Sequence, residues 1–366
     1  MKIVSGTPND PIDTPPKSYY SFHNTEGISH RQTRVPAWPA GAGADLHTST
    51  VLDYSIFVKP FVFALACVLP LAADVKVTSE KDRVIVDING RPFTTLYYGG
   101  ETMKPYLHPL RAASGTLITR QFPMEKVEGE TRDHPHHQGL WFSHGDVNGF
   151  DFWGNVRPGP KFGRIVVDKV TKAAGGKTGT VAFEARWIDP AEKAILKETR
   201  RMTFSGDKET RTVDVDLTLT ALEGPVKFGD TKEGTFAIRI ADAMTEKAKG
   251  GVLTNAAGAT GMKAVWGKPS PWVDYSGKLG DEALGITILD HPSNPKHPSH
   301  WHARDYGLFA ANIFGEHDYY NDKQRDGSVT VEPGKSIRFR YRVVIHPGDV
   351  SSAKAPELFQ QYSKTR

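Results

Sequence analysis

Apolar and polar residues alternate along most of the chain after residue 73. The alternation is clear in VKVTSEKDRVIVDINGRPFTTLYYGG, residues 75–100, where Asn89 and Gly90 mark a turn. A period of two places successive side chains on opposite faces of a strand, so this stretch predicts an antiparallel β-meander. The same pattern returns in RIVVDKV, TVAFEARWI, LKETRRMTF, RTVDVDLTLTAL, GTFAIRIA, LGITILD and SVTVEPGKSIRFRYRVVIH.

Many strands joined by Gly, Pro, Asn and Asp turns predict an all-β fold, a large antiparallel β-sandwich. Helical spacing is confined to the terminal APELFQQYSK, and Pro333 and Gly334 predict the turn of a closing hairpin. Because the composition does not shift after residue 73, we expect residues 74–366 to form a single β-sandwich domain.

The segment from Phe61 to Ala73 reads FVFALACVLPLAA, with Lys59 before it and small residues at its end. This anatomy is typical of a secretory signal, and the run is shorter than the roughly 20 apolar residues of a membrane-spanning helix. We therefore predict a signal peptide over residues 51–73, a periplasmic or secreted protein, and no stable membrane span in the mature chain. Residues 1–50, rich in Pro, Gly, Ser and Thr, are expected to be disordered or an extension from a misplaced start codon.

Charge and cysteine content exclude several classes of function. The formal net charge is +4 with both signs interspersed, so no nucleic-acid partner is expected. Cys67, the one cysteine, lies inside the apolar run, and a mature chain would therefore lack disulfides, thiol catalysis and Cys-ligated metals.

Residues 132–154, RDHPHHQGLWFSHGDVNGFDFWG, form the first histidine-rich segment. A desolvated imidazole or carboxylate needs a hydrogen bond or a counter-charge, so such a cluster is expected to line a wet cleft. The segment contributes His134, His136, His137 and His144 with Asp146, Asn148 and Asp151, beside Trp141 and Trp153.

Residues 290–315, DHPSNPKHPSHWHARDYGLFAANIFG, form the second histidine-rich segment. If HWHARDY is extended, period-2 geometry divides its side chains between two faces. One face would carry His300, His302, Arg304 and Tyr306, and the other Trp301, Ala303 and Asp305.

Imidazole titrates near neutrality and can act as acid or base, while tryptophan suits the apolar face of a pyranose. Glu233 is a further candidate acid or base because it would share a strand face with Thr235, Ala237 and Arg239. The candidate catalytic residues are His134, His136, His137, His144, Glu233, His300, His302, Arg304 and Tyr306. The candidate substrate-binding residues are Trp141, Asp146, Asn148, Asp151, Trp153, Trp301 and Asp305.

A divalent metal bound by histidine is an alternative interpretation of the same residues. His134 with His136, and His300 with His302, have the spacing of paired ligands on a strand. Spacing alone does not separate Zn, Cu and Fe, and no HExxH motif or Cys cluster supports the site.

Several long stretches resemble a bacterial family labelled "PmoA-type methane oxygenase", also treated as a domain of unknown function. They are RPFTTLYYGG, PYLHPLRAASGTLITRQFPM, DHPHHQGLWFSHGDVNGFDFW, WVDYSG, GITILDHPSNPKHPSHWHARDYGLFAANIFG and FRYRVVIHPGD. The label implies a metal-dependent oxygenase, but a membrane methane monooxygenase subunit needs several apolar helices of roughly 20 residues, and none follows residue 73.

The family is also similar to the galactose-mutarotase-like supersandwich group, which includes aldose epimerases and polysaccharide lyases. This resemblance implies a supersandwich architecture, and it makes His137, His302 and Glu233 the nearest counterparts of the two histidines and carboxylate of the epimerases. The leading hypothesis is an exported carbohydrate-active enzyme, with lyase, hydrolase and epimerase outcomes open. The alternatives are a metal-dependent oxygenase and a non-catalytic sugar-binding module.

Overall fold

The computed structural model describes residues 74–366. The predicted extension over residues 1–50 and the predicted signal peptide over residues 51–73 lie outside the described residues.

Strands dominate the described chain, and the helices are short. The strands are β1 Val75–Ser79, β2 Arg83–Ile88, β3 Arg91–Tyr97, β4 Tyr106–His108, β5 Leu140–His144, β6 Arg164–Ala174, β7 Gly179–Ile188, β8 Ala194–Gly206, β9 Arg211–Ala221, β10 Val226–Phe228, β11 Gly234–Arg239, β12 Gly251–Asn255, β13 Trp272–Leu279, β14 Glu282–Asp290, β15 His300–Ala303, β16 Leu308–Asn312, β17 Val329–Val331 and β18 Ser336–Pro347. The helices are α1 Met262–Val265, α2 Glu316–Tyr320, α3 Val350–Ala353 and α4 Ala355–Tyr362, with a 3-10 turn at Asp242–Met244.

Two eight-stranded antiparallel sheets face one another. Sheet 1 has the order β1-β2-β3-β4-β5-β11-β16-β15, and sheet 2 has the order β12-β13-β14-β18-β9-β8-β7-β6. The predicted meander is β1 to β3, paired in sequence order. The predicted all-β fold, a large antiparallel β-sandwich, is confirmed.

The hydrophobic core lies between the two sheets. Phe142 of sheet 1 packs on Phe339 of sheet 2 with ring centroids 5.3 Å apart, and Phe236 stacks on Tyr341 at 4.5 Å. Strand β9 alternates buried and half-buried residues along its whole length, as a strand with one core face should. Removing these apolar faces from water supplies the main driving force for the sandwich.

The turn at Pro333 and Gly334 does not close the predicted hairpin. Strand β17 pairs with β10 in a separate two-stranded sheet, whereas β18 pairs with β9 and β14 in sheet 2. The turn residues were identified correctly, and Gly334 adopts a left-handed φ of 70°. Local turn chemistry cannot specify which partners the flanking strands find.

The terminal helix α4 is present where the sequence predicted it. It covers the outer face of sheet 2, where Ala355 and Tyr362 pack with Trp272 and Leu289. Among residues 74–366, no helix is long and apolar enough to span a membrane.

The outer face of sheet 1 provides the floor for a site. Neighbouring strands β5, β11 and β16 place Trp141, Ala237 and Ala310 side by side on that face. The adjacent Phe142 and Phe236 point into the core. Because two of the three floor positions are alanine, space remains above the sheet for larger groups from the loops.

Candidate functional site

The deepest layer of the site is a pair of tryptophans on the outer face of sheet 1. Trp141 and Trp153 are both about 1% exposed, with ring centroids 5.0 Å apart. A tight turn after β5 presents Trp153, and Asp151 Oδ1 stabilises this turn by accepting the backbone N–H groups of Trp153 and Gly154, each at 2.7 Å.

The DHPHH motif folds as a turn that stacks imidazoles on this floor. His134 has a left-handed φ of 45°, and the backbone N–H of His137 donates to the His134 carbonyl at 3.0 Å. His134 consequently stacks on His137 at 4.8 Å, and His137 stacks on Trp141 at 5.3 Å. His136 stands nearly perpendicular to His137, with centroids 4.4 Å apart. The segment is therefore not a strand, and His134 and His136 do not have paired-ligand strand geometry.

The second histidine-rich segment reaches the same floor through β15. The two-face prediction for this segment holds within the strand: Trp301 and Ala303 enter the inter-sheet core, and His302 points outward. His302 lies 6.5 Å from the Trp153 ring and 5.0 Å from the Trp266 ring. The strand ends at Ala303, so the later residues of HWHARDY are placed by a turn.

That turn carries Arg304 and Tyr306 over the imidazoles. The Tyr306 ring lies 5.0 Å from His134 with an interplanar angle of 11°. The Arg304 guanidinium lies 5.1 Å from the Trp266 ring centroid and 5.6 Å from that of Tyr306. The two segments, distant in sequence, thus meet at one place. We call His134, His136, His137, Trp141, Trp153 and Tyr306 the ring cluster.

Asp133 is the ionic centre beside the ring cluster. Its carboxylate accepts hydrogen bonds from Arg120, from Arg239 at 2.9 Å and from His134 Nδ1 at 2.7 Å. Partial burial opposes ionisation, but Arg239, His134 and Arg120 together lower the pKa of Asp133 to about 2. The two guanidinium groups are fully buried; Asp133 is their shared counter-charge, and Asp242 lies 3.8 Å from Arg239 as a second one.

Arg239 fixes the tautomer of His137. Its Nη1 lies 3.5 Å from His137 Nδ1, and a guanidinium can only donate, so Nδ1 is the acceptor and the ring proton lies on Nε2. Burial, the neighbouring His136 and the Arg239 charge hold the pKa of His137 well below its usual range. His137 is therefore a neutral N–H donor at neutral pH.

Two further imidazoles of the site are held neutral. Burial, followed by the charges of Lys104 and His134, lowers the pKa of His136 to about 3. Burial and then the charge of Arg304 lower the pKa of His302 to about 3. Both effects penalise the protonated ring.

Three rings that pack against one another each carry a buried N–H group that has no acceptor within residues 74–366. The groups belong to His137 Nε2, Trp141 Nε1 and Trp153 Nε1. Leaving a buried donor unpaired costs roughly 1–3 kcal/mol, so structures keep such groups where another molecule can satisfy them. All three donors are closed off from solvent in the described structure.

Glu233 precedes β11 at the edge of the site. Its side chain is 37% exposed and lies 3.7 Å from Lys232 Nζ. Partial burial raises its pKa, although the Lys232 charge acts in the opposite direction. The carboxyl is close enough to His134 for their charges to interact. On β11 itself, Ala237 and Arg239 share the outer face, as the strand pattern predicted.

An open cleft of about 390 Å³ adjoins the ring cluster. Asp133, Arg239 and Tyr306 form its wall on the cluster side, and Thr131, Asp242 and Lys247 lie among the other lining residues. The cleft is large enough for a molecule of monosaccharide size, and it reaches the ring cluster at Tyr306.

Two candidate residues lie inside the protein. His144 projects toward the core side of sheet 1, where it packs on Phe314 at 4.6 Å and donates to the Gly229 carbonyl at 2.9 Å. Trp301 is fully buried between the sheets, and its Nε1 donates to the Ser270 carbonyl at 2.9 Å. Neither can contact a ligand on the outer face, which corrects the roles predicted for them.

Other candidates lie in loops away from the ring cluster. Asp146 and Asn148 stabilise turns, accepting the N–H groups of Gly149 at 2.9 Å and Lys227 at 2.8 Å. His300 shares the outward face of β15 with His302, but it stacks on Tyr319 and bonds Tyr320.

Asp305 also lies apart from the ring cluster. Its carbonyl anchors the turn after β15 by accepting the Tyr275 hydroxyl at 3.1 Å. Among residues 74–366, no three His, Cys, Asp or Glu side chains converge as a potential metal-binding set.

Four residues that shape the site were not among the candidates predicted from the sequence. Arg120 and Arg239 pair with Asp133, Trp266 contacts His302 and Arg304, and Lys104 lies beneath Trp153. The strand pattern placed Arg239 on the same strand face as Glu233, and this could have identified it as a site residue. Arg120 and Lys104 are isolated cations in their segments, and no local pattern marks them.

Comparisons with known proteins give a family and distant similarities of fold. Residues 83–360 match a family described as a "Family of unknown function (DUF6807)". No curated protein matches the chain. The methane oxygenase name in the sequence resemblance therefore gains no support.

Among solved structures, the chain is similar to the galactosidase domain of an alpha-galactosidase–sucrose kinase. The identity is 8% and the TM-score 0.36, over 75% of this chain and 42% of that chain. The galactose mutarotase related enzyme from Lactobacillus acidophilus matches at 9% identity and a TM-score of 0.30, over 74% and 97% of the two chains. A galactose mutarotase-like protein from Lactobacillus casei matches at 10% and 0.30, over 74% and 100%.

Proposed function

The chain belongs to the family of unknown function DUF6807, and we propose that it is an exported enzyme that transfers protons on a saccharide bound in the open cleft beside His134 and Tyr306. The observation that carries the proposal is the half-exposed His134 imidazole, which Asp133 orients and which stacks on Tyr306 beside the cleft. A sugar hydroxyl can hydrogen-bond to the imidazole, and an aromatic face such as that of Tyr306 packs well against the C–H groups of a pyranose.

His134 is the proposed general base. Its Nδ1 donates to Asp133 at 2.7 Å, which leaves Nε2 of the neutral ring as the acceptor. The side chain is 39% exposed, so Nε2 can reach a bound molecule. The carboxylate orients the ring and stabilises the imidazolium that forms when the base takes a proton.

Glu233 is the proposed general acid. Burial raises its pKa, so the carboxyl keeps its proton to a higher pH than an exposed glutamate does. An acid whose pKa approaches the working pH transfers its proton most effectively. The charges of Glu233 and His134 interact, so the loss of a proton by Glu233 favours the uptake of a proton by His134.

The carboxylates of the site favour proton transfer over glycoside hydrolysis. Hydrolysis commonly requires two carboxyl groups flanking the scissile bond. Asp133 is paired with Arg120 and Arg239, and Asp151 accepts two backbone N–H groups. Glu233 is thus the carboxyl with a raised pKa at this site. Epimerisation or elimination, each starting with removal of a proton by His134, fits this set best.

A substrate screen with matched variants tests the enzymatic proposal. Purified wild-type protein is incubated with reducing monosaccharides and with neutral and acidic oligosaccharides, and products are followed by NMR and mass spectrometry. We expect turnover that falls at least about 100-fold in His134→Ala, with an unchanged melting temperature. His300→Ala, outside the ring cluster, should retain wild-type turnover. Sugar binding without any product would overturn catalysis and favour a sugar-binding module.

Export is supported by the apolar run FVFALACVLPLAA, residues 61–73. Expression of the full chain in a bacterial host, followed by cell fractionation and N-terminal sequencing, tests this part of the proposal. We expect a shortened chain in the periplasm or medium, starting near residue 74. A full-length chain in the cytoplasm would contradict export.

A further inference from the structure

Arg304 differs from the other arginines of the site in having no carboxylate partner among the described residues. Arg120 and Arg239 both pair with Asp133. The Arg304 guanidinium lies over the rings of Trp266 and Tyr306, and its Nε is buried without a hydrogen-bond acceptor. A partly desolvated cation without a counter-charge is unfavourable unless a ligand supplies one.

We infer that the saccharide carries a carboxylate and that Arg304 binds it, an inference that rests on the proposed function of the ring cluster. When a guanidinium lies over aromatic faces, the N–H donors at its edges remain free to bind a planar anion. A carboxylate can accept two of these hydrogen bonds side by side. The ligand class is therefore a uronic acid or an oligosaccharide that contains one.

The balance of charge around the site supports an anionic ligand. The Arg304 cation lacks a carboxylate within ion-pair distance among residues 74–366, whereas Arg120 and Arg239 share Asp133 and Arg239 also lies 3.8 Å from Asp242. Burial is the main cause that lowers the pKa of His302, and the Arg304 charge is the next, so this cation lies close to an imidazole on the outer face of sheet 1. An added carboxylate would relieve this imbalance.

The position of Arg304 also suits the proposed proton transfer. Arg304 and His134 both contact the Tyr306 ring, at 5.6 and 5.0 Å from its centroid. The proposed carboxylate-binding residue and the proposed base therefore lie beside the same ring. When His134 removes the proton from the carbon next to the carboxylate, the electron pair moves into the carboxyl group, where Arg304 stabilises the added charge. Glu233 then donates its proton to the opposite face of that carbon, which gives the epimer and leaves the proton first removed on His134.

Elimination follows from the same intermediate. The electron pair then returns to form a carbon–carbon double bond, and the bond from the next carbon to its oxygen substituent breaks. The departing oxygen takes the proton of Glu233 and leaves as an alcohol. His134 holds the proton first removed, and no oxidant or reductant is consumed.

Paired probes that differ only at the carboxyl group test the inference. Binding of tri-galacturonate and tri-glucuronate is measured by calorimetry against the same trisaccharides with their carboxyl groups reduced to alcohols. We expect wild-type protein to bind at least one acid about 10- to 100-fold more tightly than its reduced form, as for a charge-assisted bidentate contact. Arg304→Gln should reduce that ratio to below about threefold and leave binding of the reduced sugar unchanged.

Control variants separate anion recognition from general charge and folding effects. Arg304→Lys keeps the charge without the planar fork and should retain an intermediate preference. Arg338→Gln removes an exposed arginine that pairs with Asp216 on sheet 2, and it should keep the full preference. An equal loss in Arg338→Gln would mean that net charge, and not Arg304, sets the preference, and would overturn the assignment.

The outcomes distinguish this inference from the proposed function. Equal binding of acid and reduced forms would overturn carboxylate recognition while leaving a saccharide site in place. Equal affinity for glucose 6-phosphate and glucuronate would overturn the carboxylate assignment in favour of a general anion site. Absence of binding by acids and neutral sugars alike would overturn both.

Discussion

Lys104 Nζ donates a 2.9 Å hydrogen bond to the carbonyl oxygen of Trp153. It also donates to Asn155 Oδ1 at 2.8 Å, so one fully buried side chain ties the loop after β5 to the start of β4. Burial lowers the pKa of Lys104 to about 7, with the Asp151 charge opposing the shift. Lys104 is thus a positioning residue for the tryptophan floor.

Lys104→Met should weaken ligand binding because Trp153 supports His137, on which the half-exposed His134 stacks. The apolar chain preserves the packing volume but removes the tether, so we expect KM to rise about tenfold with kcat within about threefold of wild type. Steady-state kinetics measure this split. Lys169→Met, at an exposed position on sheet 2, is the matched control. A fall in kcat alone would contradict a positioning role.

Asp133→Asn should lower kcat by about 100-fold or more, because an amide no longer stabilises the imidazolium of His134. The variant also removes the counter-charge that Arg120 and Arg239 share and leaves Arg239 with Asp242 alone, so a lower melting temperature should accompany the kinetic loss. Single-turnover kinetics and thermal unfolding give the two readouts. Asp168→Asn, at an exposed ion pair with Arg186, should change neither.

Glu233 should set the alkaline limb of the pH–rate profile. A general acid works only while protonated, so kcat is expected to fall as pH rises through the raised pKa of this carboxyl. Glu233→Gln should be slower and should lack that limb. A variant profile that keeps the wild-type alkaline limb would assign the acid to another group.

His144 should make the fold less stable in acid. Burial lowers its pKa to about 4, although the Gly229 carbonyl favours the protonated ring. The unfolded chain takes up a proton below about pH 6.5 while the folded chain does not until about pH 4. The contribution to the free energy of unfolding is therefore intact above about pH 6.5 and decreases by up to about 3 kcal/mol towards pH 4.

Urea unfolding of wild type and His144→Gln at about pH 7 and about pH 4.5 measures the contribution of His144 to the free energy of unfolding. The glutamine can still donate to the Gly229 carbonyl but does not titrate. The difference in unfolding free energy between the two pH values should be smaller in the variant. An identical pH dependence in both proteins would show that the pKa of His144 does not differ between the folded and unfolded states, and would contradict the prediction.

Trp301→Ala should destabilise the sandwich by about 3–5 kcal/mol, the usual cost of emptying a large buried aromatic site. Trp301 is fully buried between the sheets and bonded to Ser270. Trp266→Ala, at a half-buried position under Arg304, should cost less stability and should weaken acidic-sugar binding instead. Chemical denaturation and calorimetry separate the two effects, and equal stability losses would contradict this division.

The strand pattern predicted the faces of β15 and β11 but not which face meets the core. Trp301 and His302 lie on opposite sides of one strand, as a period of two requires. Both faces of sheet 1 are lined with large apolar rings, since Phe142 lies on one side and Trp141 on the other. Hydrophobicity therefore could not indicate which tryptophan would be buried between sheets.

By itself, the sequence determined the β class, the meander, the terminal helix and the two segments that hold most of the site, because these follow from local periodicity and residue type. Tertiary structure alone decided that the DHPHH turn meets the Arg304–Tyr306 turn, that His144 points inward, and that Arg120, Arg239 and Lys104 support the rings. Those relationships join residues far apart in the chain. They depend on strand order and sheet packing, for which a local pattern carries no information.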